Sequence, residues 1–466
     1  MNTEQLTELL ISLVVIVVVV TLLLLRRHIG RLLINILKSP VTYIKYRWKL
    51  GSMVKRFRFR SHGIQFGKAK CGRVLCSPEK KEEHTLCIGG SGSGKTAGLI
   101  TTTVQNYRGS VFCLDISNDI TVNVQSDQKA VVCLTGDYTS SDSGYTFDVL
   151  AAVDKAPTMS EKCELLMQLA FCLIPEISSD DNAIYYETSA RTVLQAALLA
   201  FYFSPDRLDI VPIFRHILSS SFDFVISDIK ASGNNRAISL VAGFEDVNEK
   251  MNAATKQEVD KAISIFCVNE IVGNAIGRSS LSVSPSDLED KSIYIVLPEH
   301  KINLYAPALS LITSSVLSYL TARPIHRKSK RILVVLDEFP QLRLDISNAL
   351  MTVRKRRVRI LAVIQSLPIL FDLFGRYKAQ GMIDNFLFLV VMKCTDPDTQ
   401  EWLSKKAGSY WYEERQRRNI EPSEFGVLDK RLVLFHPRGY MTLKKNYYFK
   451  GFFKSLSRLY SKVTGK

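Results

Sequence analysis

No aspartate or glutamate occurs between Arg26 and Arg73, a stretch that carries fourteen lysines and arginines. None occurs between Arg431 and Lys466 either, where nine more basic residues lie. The formal net charge of +16 therefore sits at the two ends of the chain, and the middle is close to balanced. Paired cysteines are also missing. The nine cysteines include no CxxC, so the four convergent ligands of a zinc site have no framework. Several sit inside apolar runs such as HTLCIGG and SVFCLDI and read as small buried hydrophobes of a reducing compartment. Nothing in the composition points to disorder: 46% of the 466 residues are hydrophobic and 23% are charged, which suits two or three packed domains.

Charge is absent again from Leu9 to Leu25, LLISLVVIVVVVTLLLL. As a helix this run reaches roughly 25 Å, slightly short of a ~30 Å hydrocarbon core, and Arg26 and Arg27 can snorkel to cover the deficit. A cleaved signal peptide would have positive charge before the run and small residues after it. Here Glu4 and Glu8 precede it and RRHIGR follows, the pattern of a retained anchor. The basic side stays in the cytoplasm, so the expectation is a single-pass inner-membrane protein with its bulk cytoplasmic. Residues 26–60 read as a basic helix on anionic lipid headgroups, with a solvated basic linker as the alternative.

Residues 84–104, HTLCIGGSGSGKTAGLITTTV, contain G-x-x-x-x-G-K-[ST]. A glycine-rich turn lets successive N–H groups face phosphate oxygens, and a following helix adds its positive end. Gly89, Gly90, Ser91, Gly92, Ser93 and Gly94 would wrap the phosphates of ATP. Lys95 would neutralise the β and γ phosphates, and Thr96 would hold Mg²⁺. A β-prone run at 84–88 and a helix-like run at 97–105 supply the context that a linker lacks.

A P-loop needs a second acid on a neighbouring strand. RILVVLDEFP, residues 331–340, has five apolar residues and then Asp337 and Glu338 at the strand end. Asp337 would reach the metal through water, and Glu338 would orient or deprotonate the attacking water. RILAVIQS (359–366) and FLFLVVMK (386–393) follow at βα spacing, and Gln365 ends the first of them. SVFCLDIS (110–117) likewise brings Asp115 to a strand end. Unbroken apolar strands alternating with helices predict a doubly wound α/β domain with a mostly parallel sheet.

These pieces together resemble the type IV secretion coupling proteins, the TraG/TraD-type ATPases of conjugation. The resemblance rests on the anchor, H-x-x-x-x-G-G-S-G-S-G-K-T, LDEFPQL, Arg354 before Gln365-Ser366, and LFGRY. It implies a RecA-like motor forming a homo-oligomeric, hexameric ring with ATP at subunit interfaces. Its partners would be single-stranded DNA or a relaxase–DNA complex, the channel proteins of a type IV secretion system, and membrane lipid. By position, Gln365 matches a γ-phosphate sensor and Arg354 an arginine that reaches a neighbouring subunit's nucleotide. Two departures stand out. Relatives often have D-P-K-G-E where this chain reads Asp115-Ile-Ser-Asn-Asp119, and many have two membrane spans.

The implied layout is an anchor (1–30), a basic juxtamembrane segment (31–70) and a RecA-like P-loop ATPase domain (71–150 and 273–450). An all-helical insertion (151–272) interrupts that domain, and a basic tail (451–466) follows it. Helical patterns dominate the insertion, with Thr158 and Glu161 placed as a capping box and Tyr185 and Tyr186 as packing residues. MTLKKNYYF (441–449) reads as a closing strand, and the remaining basic-aromatic tail suits a phosphate backbone or acidic lipid equally. The same motor exporting only protein, or pumping double-stranded DNA, is the alternative function.

Overall fold

A computed structural model describes residues 62–69, 72–124, 128–135, 144–175, 180–244, 248–413 and 415–449. The apolar run 9–25, most of the basic segment after it and the tail 451–466 lie outside the described residues. The strands are, first, β1 (Gln65–Lys68), β2 (Val74–Cys76), β3 (Thr85–Ile88), β4 (Ser110–Asp115) and β5 (Lys129–Cys133). Then come β6 (Thr146–Phe147), β7 (Ser282–Val283), β8 (Ser292–Val296), β9 (Ile332–Leu336), β10 (Val358–Ile364) and β11 (Phe388–Val391). The last are β12 (Ser409–Tyr412), β13 (Arg415–Arg418), β14 (Arg431–His436) and β15 (Gly439–Lys444).

Eleven of these form one sheet in the order β2-β1-β15-β14-β11-β3-β10-β9-β4-β8-β5. From β11 to β5 every pairing is parallel. From β11 to β2 every pairing is antiparallel. The doubly wound, mostly parallel sheet read from the sequence is present. Its central strands are largely apolar and buried at every position because both faces are covered. Along β9, Ile332, Val334 and Leu336 enter one hydrophobic cluster, while Leu333 and Val335 enter the other. The helix Thr101–Asn106 that follows the P-loop packs on the second face through Val104. Helices Leu367–Phe374 and Arg376–Asp384 pack on the first.

Helices run from Ala151 to Ala275, between β6 and β7. They share the first face's cluster with the sheet, through Leu166, Leu194, Phe214 and Phe266. Thr158 Oγ1 accepts from Glu161 N at 3.2 Å and starts the helix Met159–Leu173. Tyr185 is 42% exposed and meets Tyr186 edge to face, so this pair packs on itself at the surface rather than in the core. One helix among the described residues, Glu299–Ala322, is long and apolar enough to cross a membrane. Its Leu309, Ile312, Val316 and Leu320 are buried in the first cluster, as in a core helix. β12 and β13 form a separate hairpin with every residue of the two strands exposed, Trp411 at 75%.

The loop that delivers β3 is clamped by a buried arginine. Arg359 of β10 is fully buried and donates through Nη1 to Ser77 Oγ (2.6 Å). Its Nη2 donates to the carbonyls of Pro78 (2.7 Å) and Lys81 (2.9 Å), and its Nε to Glu82. Arg331 lies 2.8 Å from the other Glu82 oxygen. Removing one partner of such a pair strands a buried charge. Arg359→Ala is therefore expected to lower unfolding free energy by roughly 3–5 kcal/mol in urea titrations. A loss under about 1 kcal/mol would show that the clamp is dispensable.

Candidate active site at the carboxyl edge of the sheet

Parallel strands bring their carboxyl ends to one edge, and the residues just past β3, β4, β9 and β10 meet there. Gly89, the first residue after β3, donates its N–H to the Ile364 carbonyl of β10 (3.1 Å). Gly90 N donates to the Lys393 carbonyl beyond β11 (2.8 Å), so the root of the loop is pinned on both sides. A Cβ on Gly89 would lie 2.8 Å from Ser93 Oγ and 2.9 Å from Met392 Cβ, leaving room for no side chain. Gly94 has φ +84°, a backbone that glycine adopts without strain. The loop then enters one wide helical turn, Thr96–Ile100, that continues as Thr101–Asn106. Wide turns of this kind recur at functional positions.

Lys95 is buried at the start of that turn. Its ammonium donates to the carbonyls of Gly89 (2.8 Å) and Gly90 (3.2 Å) and lies 3.7 Å from Glu338 Oε1. Glu338 follows β9 with φ +49°, a strained conformation for a residue with a Cβ, and strain of this kind clusters at active sites. Gln365 Nε2 donates to Glu338 Oε2 at 3.2 Å, so the carboxylate is held between a cation and an amide. Asp337 beside it is buried; burial, and then the neighbouring Glu338, push its carboxyl up to about 7 against the pull of Lys95. Asp115 ends β4 next to it. Its Oδ2 accepts from Thr121 N at 2.6 Å, its Oδ1 is buried without a hydrogen bond, and burial raises its pKa. The Cys87 thiol under the loop is pushed up to about 12 by burial and is chemically quiet.

Lys95, Thr96, Asp337, Glu338 and Gln365 thus share one edge of the sheet, and Asp115 joins them. Arg354 does not. It sits in the turn Val353–Arg356 that enters β10, at the opposite edge, half-exposed and 3.2 Å from Glu83 Oε2. The seven residues of β10 separate it from Gln365, on the order of 20 Å. Three residues of the run that the sequence presents as a closing strand, Lys445, Tyr447 and Tyr448, reach the loop. The chain leaves the sheet after Lys444, instead of continuing as a strand to Phe449, because Lys445 is drawn inward. Its ammonium donates to the carbonyls of Ser93 (2.8 Å), Leu428 (2.9 Å) and Asp429 (2.8 Å). Tyr448 N then donates to the Ala97 carbonyl (3.2 Å), and the Tyr447 ring lies against Gly94. A lysine in a basic-aromatic run carries no sequence signal for this.

Among the described residues no cluster of three or more His, Cys, Asp or Glu could hold a metal ion unaided. A magnesium ion binds through one or two protein oxygens and completes its shell with phosphate and water. The Thr96 hydroxyl and the Asp337 carboxylate fit that demand, given a phosphate in the Gly89–Gly94 cradle.

The family described as type IV secretory system conjugative DNA transfer matches residues 48–425. The chain belongs to this family. It is 22% identical over 394 residues to Protein VirD4 of Rhizobium radiobacter, covering 81% of this chain and 56% of that protein. It is 23% identical to Protein VirD4 of Agrobacterium fabrum over 368 residues, 76% of this chain and 54% of that one. The chain thus spans about half the length of the curated relatives it matches. Its fold is similar to that of the bacterial conjugative coupling protein TrwBΔN70 in the unbound form. The TM-score is 0.65 at 19% identity, covering 85% of this chain and 95% of that one. TrwB in complex with ADP and Mg²⁺ matches equally, with TM-score 0.65, 19% identity, and 85% and 96% coverage.

The raised Asp337 pKa has a definite sign in stability. Below about 4 the carboxyl is protonated in folded and unfolded chains alike and contributes nothing. Between there and about 7 the unfolded chain ionises first, so the native state loses stability as pH rises. Asp337→Asn is expected to match the parent's melting temperature near pH 4 and to exceed it at pH 8 without nucleotide or magnesium. A lower melting temperature for the variant at pH 8 would contradict the assignment.

Proposed function

We propose that this chain hydrolyses ATP at the carboxyl edge of its sheet and uses the cycle to move DNA or a nucleoprotein. The cargo would be single-stranded DNA or a relaxase–DNA complex, passed toward a type IV secretion channel. The observation that carries the catalytic part is the Lys95–Glu338–Gln365 constellation, a cation 3.7 Å from a carboxylate that an amide holds in place. Membership of a conjugative DNA transfer family supports the cargo. The relative TrwB has been seen with ADP and Mg²⁺ and with non-hydrolysable ATP and GTP analogues, which supports nucleotide and magnesium as ligands here.

In this reading the loop N–H groups from Gly90 to Thr96 bind the β and γ phosphates, and Lys95 exchanges its two loop carbonyls for phosphate oxygens. Such charge-assisted contacts strengthen as negative charge develops on the transferring group. Glu338 orients the attacking water and accepts its proton, while the Gln365 amide fixes which carboxylate oxygen faces it. Thr96 and Asp337 would hold Mg²⁺, which supplies Lewis-acid neutralisation of the phosphates. Arg354 lies too far to serve the nucleotide of its own chain, and in a ring it would serve a neighbour's. The N-terminal apolar run would anchor that ring in the inner membrane with the motor in the cytoplasm.

Lys95→Ala is expected to lower kcat/KM for ATP by a factor on the order of 10² to 10³. Glu338→Gln should lower kcat similarly while nucleotide still binds, and wild-type turnover should rise with single-stranded DNA. Stimulation by double-stranded DNA alone would favour a duplex pump, and indifference to both would favour protein export. Full turnover in Lys95→Ala would end the catalytic reading. A mixing experiment tests Arg354. Lys95→Ala and Arg354→Ala chains, each inactive alone, should recover part of wild-type turnover when co-assembled, because some interfaces then hold both residues. No recovery across mixing ratios would return Arg354 to a role in its own subunit.

A further inference from the structure

The segment 445–448 crosses the P-loop where loop becomes helix, and the fold dictates which part of a bound nucleotide would meet it. Asp337, Glu338 and Gln365 follow β9 and β10, on one side of β3. The strap arrives from β15 and β14, which lie beyond β11 on the other side. A triphosphate whose γ phosphate faces Glu338 and Gln365 must therefore direct its nucleoside away from β9, toward β11 and the strap. An aromatic side chain waits there. A Cβ built on Gly94 would lie 3.2 Å from Tyr447 Cε1, and one on Gly98 would lie 3.7 Å from it. The ring thus covers the junction between the loop and its first helical turn.

The strap has little freedom to move off. Lys445, buried with its ammonium on three carbonyls, fixes it on one side of Tyr447, and the Tyr448 N–H on the Ala97 carbonyl fixes it on the other. Phe449 stacks on Tyr447 with centroids 5.3 Å apart, and Tyr448 meets Phe449 edge to face. Tyr447 itself is half-buried, with surface left to contact a ligand.

We infer that Tyr447 is the platform on which the base of the bound nucleotide stacks, and that Lys445 is the positioning residue that holds it over the P-loop. The inference rests on the nucleotide reading above and adds the subsite for the base. Stacking on a ring is tolerant of base identity because every base presents a π face, so adenine and guanine nucleotides would both be accepted.

The test compares two probes with the full chain in the presence of Mg²⁺: a non-hydrolysable ATP analogue and inorganic tripolyphosphate, which lacks a base. Calorimetric titration of Tyr447→Leu should show a loss of about tenfold or more for the ATP analogue, the size of a lost stacking contact. Tripolyphosphate affinity should stay within about twofold. Tyr447→Phe, which keeps the ring, should bind both probes like wild type, and it serves as the folded reference if the leucine variant is unstable. Equal losses for both probes in Tyr447→Leu, or none, overturn the base assignment, as does a selective loss of the ATP analogue in Tyr447→Phe. Wild-type protein that binds neither probe defeats the nucleotide reading itself and this subsite with it. Lys95→Ala should weaken both probes together, which separates the phosphate contacts from the base contact.

Discussion

Lys95 and Glu338 approach to 3.7 Å because β3 and β9 flank the same strand, β10, and all three run parallel. Parallel pairing is what collects their carboxyl ends on one edge; an antiparallel β9 would carry Asp337 and Glu338 to the far side. The cost is that the strands must be apolar on both faces, and β9 and β10 are buried at every position. The carboxyl edge therefore depends on a core that is covered twice, by the P-loop helix on one face and by the Leu367–Phe374 and Ile302–Ala322 helices on the other. Buried charges at the margins of this core, Arg359 with Glu82 at one edge and Lys95 with Glu338 at the other, are tolerated because each is paired.

The sequence displayed this architecture wherever a local rule was strong enough. A P-loop needs glycines whose absence of a Cβ is structural, and Gly89 and Gly94 are such positions. The runs before Asp337 and Gln365 are too uniformly apolar to be half-exposed strands, so their place in the sheet interior was legible. Asp115 was visible as an acid at a strand end, but its neighbour across the sheet was not, since register is a tertiary property. The strap from Lys445 to Tyr448 was hidden for a related reason. Its partners are main-chain carbonyls of Ser93, Leu428, Asp429 and Ala97, which any sequence could offer. Tyr185 packs on Tyr186, yet at the surface, because a helical repeat reports a face and does not report whether that face is covered.

The two edges of the sheet carry different chemistry. The carboxyl edge gathers the acids, the P-loop and the strap. The amino edge carries Arg354 and its Glu83 partner. Arg354 and Gln365 of one chain therefore stand at opposite ends of the same strand, β10. Ion pairing with Glu83 holds the Arg354 side chain without burying it.

In the proposed mechanism the P-loop and the acids after β9 form one site for metal and nucleotide together. Mn²⁺ substituted for Mg²⁺ and observed by electron paramagnetic resonance reports this in a single spectrum. Wild-type protein with a non-hydrolysable ATP analogue should bind Mn²⁺ with ³¹P hyperfine coupling, and Asp337→Ala should lose the bound ion while the nucleotide remains. An identical Mn²⁺ spectrum in the two proteins would contradict the shared site.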